Sequence, residues 1–291
     1  MMYTLFGYTR DPGNRIVRFS VNSEVQSSMT AYLTEQVLAF GSNCEEEMFT
    51  GNYKPDDNEM LVIEEFDDLD NLLKAVAAPL NVPIADPNNF DFNQIKALFF
   101  GQCETTGDWT VYLQSFDKRR VISSTGFSIY HSKDTYKRID GSGIILDNKL
   151  AAKLTKKRLS FFSFYHVRQI FDMSSYYQEA TDNDIQQFLN IKELYVENKE
   201  DLIKFSDNWV RRKIWLVMQS NILSKIPLND IKTIATEFSI SIEFINQDGY
   251  EMIKIPGDKK SLKTLLRFLD EDYYKSPLSK TNFLSNSKRA L

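Results

Sequence analysis

The chain has 291 residues, 42% of them hydrophobic and 26% charged, with 21 Phe and 14 Tyr; this excludes a disordered chain and allows one large or two modest domains. Its apolar runs fall short of the roughly 18 residues a membrane span needs, and MMYTLFGYTRDPG lacks a basic-then-apolar signal layout, so a cytoplasmic protein is expected. The net charge of −5 argues against a nucleic-acid binder until it is divided: residues 1–100 hold 16 acids and 6 bases, residues 101–291 hold 24 acids and 29 bases.

In chain order, MYTLFGY and RIVRFSV read as extended segments around an Asp-Pro-Gly-Asn turn at 11–14. Asn22 or Ser23 is placed to cap a helix over 24–40, where Val25, Met29, Tyr32, Leu33, Gln36, Val37 and Phe40 follow the 3.6 period and Gly41 ends it. The tract from 45 to 70 carries eleven acids against Lys54. Glu45, Glu46, Glu47, Asp56 and Asp57 lack EF-hand spacing and read as a solvated loop, while MLVIEEF reads as a buried strand. DDLDNLLKAVAA is a helix that closes at Pro79.

Pro83, Pro87 and repeated Asn and Asp suggest a boundary near 95, dividing an acidic N-terminal α/β part, 1–95, from a basic C-terminal domain, 96–291. Short runs follow: IKALFFGQ, WTVYLQSF, RRVIS, FSIYHS and GIILD. Their spacing predicts an antiparallel, partly curved sheet. The expected class is α/β in the α+β sense, a mixed or antiparallel curved sheet with packed helices. The GSG at 141–143 lacks the rest of a dinucleotide loop, and no cofactor is expected.

Residues 149–181 combine a basic run with an aromatic one. Lys149, Lys153 and Lys157 are four apart, a spacing that shares a face in a helix or a strand, and Lys156 and Arg158 sit among them. Such a cluster attracts phosphate, and Phe161, Phe162, Phe164 and Tyr165 beside it suit either base stacking or a core. Core is the expectation for Phe162 and Phe164. Thr181 or Asp182 caps a helix, LYV follows, and a long helical segment runs from NKED to Pro227. There Trp209, Val210, Ile214, Val217, Met218 and Ile222 form the apolar face; Arg211 and Arg212 fall outside it and Lys213 lies further round, a second basic group. A further helix, a hairpin turning at Asp248-Gly249, a basic amphipathic helix and a polar basic tail that clips onto a neighbouring surface complete the chain.

No Walker loop, HExxH, GxSxG or kinase signature is present. Cys44 and Cys103 lack a CxxC pattern and read as reduced thiols; His131 and His166 are too few for a histidine-rich metal centre. Asp184 with Glu197-x-Lys199 has the spacing of metal-dependent nucleases, but Glu197 leads into a helix start instead of lying in a strand. Neither a catalytic centre nor a metal is expected.

Two segments carry a more specific signal: FFSFYHVRQIFDMSSYYQEAT at 161–181, and the ending LLRFLDEDYYKSPLSKTNFLSNSKRAL at 265–291, above all Leu269–Asp272, Ser276-Pro277-Leu278 and Ser287-Lys288. Together they resemble the KwaB family of the Kiwa anti-phage defence system and the wider bacterial family sharing its domain, over roughly residues 120–291. The resemblance implies a cytoplasmic effector that binds DNA without a recognisable catalytic centre, obstructs phage replication or transcription, and is brought to the membrane by a small transmembrane partner, KwaA. It transfers no binding residues. Charge clustering alone nominates Lys149, Lys153, Lys156, Lys157, Arg158, Arg211, Arg212 and Lys213 as nucleic-acid contacts in an oligomeric protein. The alternatives are a metal-dependent nuclease, and an interaction adaptor whose basic face meets an acidic partner or an anionic membrane.

Overall fold

The computed structural model describes residues 2–67, 70–86, 88–123, 126–139, 141–247, 249–285 and 287–288. The fold is mixed α+β, in two compact units: 1–49 with 55–173, and 50–54 with 174–291. The break expected near 95 falls instead at 173/174. Ile95 opens a strand that hydrogen-bonds to the first strand of the chain, so a division there would split one sheet.

Unit 1 is built on an eight-stranded sheet. Its strands are β1 (Phe6–Thr9), β2 (Ile16–Arg18), β3 (Glu45–Met48), β4 (Glu59–Ile63), β5 (Ile95–Cys103) and β6 (Trp109–Ser115), and then, beyond an excursion, β11 (Ala152–Thr155) and β12 (Arg158–Phe161). The order is β2-β1-β5-β6-β11-β12-β4-β3, antiparallel except for the β3–β4 edge. The excursion holds β7 (Val121–Ile122) paired with β10 (Gly143–Ile144), and β8 (Ile129–Ser132) paired with β9 (Thr135–Arg138). The turn at 11–14 forms as expected, with the Asp11 carboxylate accepting from the Gly13 N–H at 2.8 Å.

Helix α1 (Ser23–Ala39) begins where the Asn22 side-chain oxygen Oδ1 accepts from the Val25 N–H at 2.9 Å, and it ends before Gly41 at φ 70°. Its Met29 and Leu33 pack with Leu98, Phe100 and Tyr112 on one sheet face. Helices α2 (Asp70–Ala77) and α3 (Phe164–Ile170) lie against β5 and β6; Val76 fills the space a Cβ at Gly101 would need. The phenylalanines of the aromatic run pack into unit 1, Phe162 and Phe164 half-buried, while Tyr165 is exposed. Phe161 is fully buried, Phe162 packs edge-on to Phe40, and Phe164 stacks on Phe49. One part of the acidic tract differs: Glu45–Met48 is an edge strand, held by parallel pairing to the buried β4.

Unit 2 packs helices on a small sheet. Helix α4 (Asp182–Leu189) opens with a reciprocal capping box between Thr181 and Asp184. Then come β13 (Leu194–Tyr195), α5 (Lys199–Phe205), α6 (Asn208–Ser220), α7 (Ile222–Lys225) and α8 (Leu228–Glu237). After these, β14 (Phe244–Gln247) and β15 (Tyr250–Lys254) form a hairpin, with residue 248 of its expected turn outside the described residues, and β13 pairs parallel to β15. Helix α9 (Lys259–Leu269) and the hairpin β16 (Tyr273–Lys275)–β17 (Asn282–Leu284) close the unit. The long helix expected up to Pro227 is three helices. Asp207 caps α6 afresh, and Asn221 adopts the left-handed conformation that ends it.

Asp207 ties α9 to the start of α6: it accepts from the Val210 N–H at 2.9 Å and pairs with Lys259 at 2.9 Å and Lys263 at 3.4 Å. Partial burial works against its charge, but the Val210 N–H and the two ammonium groups outweigh it and hold the carboxyl down at about 2. A depressed carboxyl adds stability that is present above about 4 and fades as the pH falls toward about 2. Asp207→Ala is expected to cost about 1 kcal/mol at neutral pH, chiefly through the lost cap since exposed ion pairs add little. Urea titrations across the acid range check this: the difference from wild type should shrink below pH of about 4.

Candidate nucleic-acid interface

The nominated basic residues separate into groups with different surroundings. Lys149 to Lys157 do not share a face, because the segment bends back as the β11–β12 hairpin. Lys149 precedes β11 at one end of the sheet, Lys153 is mid-strand, and Lys156 and Lys157 form the turn at the far end. At about 3.3 Å per strand residue, each interval of four spans roughly 13 Å, so three ammonium groups are strung out instead of clustered. Lys156 holds the turn in the left-handed region, φ 52°.

The hairpin tip is surrounded by acids. Lys156 pairs with Asp108 at 3.2 Å and Lys157 with Glu65 at 2.9 Å, which raises the Lys157 ammonium above its ordinary range. Arg158 pairs with Glu46 at 2.6 Å and Glu64 at 2.9 Å. With Glu104 lining the same cleft, five carboxylates stand against three cations. Phosphate meets a net negative field there. Lys153 is half-buried on the sheet face beside Tyr112 and Ser160. Lys149 is exposed with no ion-pair partner among the described residues; burial, and after it the Lys149 charge, push the nearby His166 imidazolium below the usual range.

The Arg211–Lys213 group is structural. Arg211 donates to the Ala180 carbonyl at 2.9 Å and pairs with Asp182 at 2.5 Å, fastening α4 to α6. Arg212 is buried with its guanidinium 4.2 Å from the Tyr177 ring centroid, and it donates to the Gln178 carbonyl and to Asn52. Lys213 is buried between Asp270 and Asp272, which Lys288 also reaches at 3.0 and 3.1 Å. The Lys288 N–H donates to the Asn52 carbonyl at 2.9 Å, and the Ser287 hydroxyl accepts from the Lys54 N–H at 2.9 Å. The tail thus clips onto a neighbouring surface, as expected. Asp270, Asp272, Ser287 and Lys288, singled out in the ending, turn out to hold the tail in place.

The nuclease spacing is not assembled. The Asp184 carboxylate is committed to the Thr181 N–H and hydroxyl, Lys199 donates to Asn190, and exposed Glu197 lies at 3.9 Å from Lys254. No group of three or more His, Cys, Asp or Glu able to hold a metal occurs among the described residues.

A third basic group was not singled out by charge clustering. Residues 117–140, between β6 and β11, hold six bases and three acids. Together with residues 141–144 they form an arm whose base is β7–β10 and whose outer part is the β8–β9 ribbon. Lys118, Lys133 and Lys137 are exposed and have no ion-pair partner among the described residues, while Arg119 pairs with Asp117 and Arg120 with Asp147. Phe127, Ile129, Tyr130 and Tyr136 are also exposed. The signal was present in the sequence as strand-like runs rich in rings and cations around Lys133-Asp134, but the runs read only as strands.

No protein-family model, curated protein or solved structure matches this chain.

Substituting Lys213→Met would leave Asp270 and Asp272 facing Lys288 alone. Removing one partner from a buried charge cluster is expected to cost about 3–5 kcal/mol. Urea denaturation checks this, and Lys156→Gln, which removes only an exposed pair, should lie within about 1 kcal/mol of wild type.

Proposed function

We propose that this chain is an anti-phage defence effector that binds DNA through backbone phosphates, carries no catalytic centre of its own, and obstructs phage replication or transcription. Two things support the reading. The first is the sequence resemblance at 161–181 and 265–291. The second, which carries it, is the arm: Lys118, Lys133 and Lys137 lie exposed with no ion-pair partner among the described residues, and Lys149 is exposed at the end of the sheet from which the arm leaves. Cations not already neutralised are the ones that release counterions from a phosphate backbone. In this reading the protein works as a homo-oligomer and reaches the membrane through KwaA; no helix among the described residues is long and apolar enough to cross one.

The nomination within 149–158 narrows to Lys149. The tip residues Lys156, Lys157 and Arg158, and the buried Arg212 and Lys213, leave the list of phosphate contacts because acids or burial occupy them.

Duplex affinity is expected to fall steeply with salt and to show little sequence preference. Replacing Lys118, Lys133, Lys137 and Lys149 together by Gln should flatten the log K against log salt line by about one unit per lysine. The pair Lys156→Gln and Lys157→Gln should leave it unchanged. Fluorescence anisotropy over a salt series measures both; a flat line for wild type, or equal slopes for the two variants, would sink the proposal.

A further inference from the structure

The outer ribbon of the arm bears a pattern that phosphate binding does not require. The register pairs Ile129 with Arg138, Tyr130 with Lys137 and His131 with Tyr136, so one face carries Ile129, His131, Tyr136 and Arg138 and the other Tyr130 and Lys137. Phe127 continues the first face: the Arg138 guanidinium lies 5.4 Å from its ring centroid. His131 and Tyr136 meet edge-on at 5.5 Å. Phe127 is 79% exposed and Tyr136 69%. Large rings held out to water on a short ribbon that also carries Lys133, Lys137 and Arg138 make a surface suited to something flat and negatively charged.

We propose that this ribbon binds unpaired nucleic-acid strands, with Phe127 and Tyr136 as stacking platforms for bases on one face and Arg138 of that face, with Lys133 at the turn, on the adjoining phosphates. The inference rests on the DNA-binding reading above and names the strand class that the arm takes. Three observations favour a single strand over a duplex groove. Reading base edges in a groove uses Asn, Gln or bidentate Arg. Residues 126–139 contain neither Asn nor Gln, and their one Arg is laid over Phe127. Rings, by contrast, stack on any base once it is unpaired, and aromatics interleaved with cations are the general device for this. Charge complementarity selects nucleic acid as the occupant over an apolar protein surface: within 126–139 there are three bases and Asp134 as the single acid.

The test uses the full chain with two fluorescent probes, a mixed-sequence single strand of about 20 nucleotides and the same sequence as a duplex. In the double variant F127A/Y136A, single-strand affinity is expected to fall about 10- to 100-fold while duplex affinity changes less than about twofold. The thermal midpoint should not move, since the rings are already in water. Tyr136→Phe should retain single-strand affinity, and a strand carrying 2-aminopurine should show quenching with wild type that the double variant abolishes. If wild type binds duplex but not single strands, the inference falls and the DNA-binding reading stands; if it binds neither, both fall. Equal losses on the two probes, or no loss on either, overturn the base-stacking role. So does a double variant that dissociates a wild-type oligomer on size-exclusion chromatography, which would make the ribbon a contact between copies.

Discussion

A buried hydrogen-bond network around the Asp147 carbonyl fixes where the arm leaves unit 1. That oxygen accepts from the Gln36 and Gln114 side chains, each at 2.9 Å, and from the Tyr32 hydroxyl at 2.8 Å. Gln114 also donates to Gln36 at 2.7 Å and accepts from the Asp147 N–H at 3.1 Å. One loop residue is thereby tied to a helix and a central strand. Buried amides of this kind are stabilising only when all are satisfied, so they specify one position for the chain. The network answers a topological demand. Strands β6 and β11 are hydrogen-bonded neighbours, Leu113 opposite Ala152, so everything between them must leave the sheet and return to the same end. Phe116, Val121, Ile144, Leu146 and Leu150 pack into the cluster beneath α1 and anchor both limbs. The arm's outer part then projects without core of its own.

How legible this was in the sequence depends on the range of the cause. Local chemistry read well: the Asn22 cap, the Gly41 stop, the Thr181 cap and the apolar stripe of α6 each act within a turn or two. The breaks at Asp207 and Asn221 were harder, because the residues on either side keep a helical pattern and a second cap only reveals itself once Lys259 and Lys263 converge on it. The edge strand Glu45–Met48 was illegible for another reason. Three consecutive glutamates have no strand signal, and only pairing to buried β4 makes them extended.

The basic clusters show what linear charge counting omits. The separation of an acidic first hundred residues from a basic remainder disappears on folding, because unit 1 gathers both: Glu46, Glu64 and Glu65 of the acidic tract lie against Lys157 and Arg158 of the basic run. In unit 2, Arg211, Arg212 and Lys213 read as a polar edge of a helix, yet α6 is packed on both flanks, by α4 and by α9. Arg212 and Lys213 are tolerated inside only because a tyrosine ring, the Gln178 carbonyl, the Asn52 side chain and two aspartates receive them. The aspartates are 57 and 59 positions from Lys213 in the chain, and no short window on the sequence contains both halves.

Pairing alone does not remove a lysine from a phosphate surface. The Lys156–Asp108 and Lys157–Glu65 pairs are more than 70% exposed on the lysine side, and such pairs are weak enough to exchange an acid for a better ligand. What decides is the charge left behind. A phosphate that displaced Glu65 would still stand within a cleft holding Glu64, Glu104 and Asp108, and each remaining carboxylate repels it over a distance comparable with the Debye length. On the arm the same phosphate meets Lys133 and Lys137, which have no ion-pair partner to displace among the described residues. The distinction between the two surfaces is therefore set by the acids that folding brings near each lysine, and counting lysines along the chain measures neither.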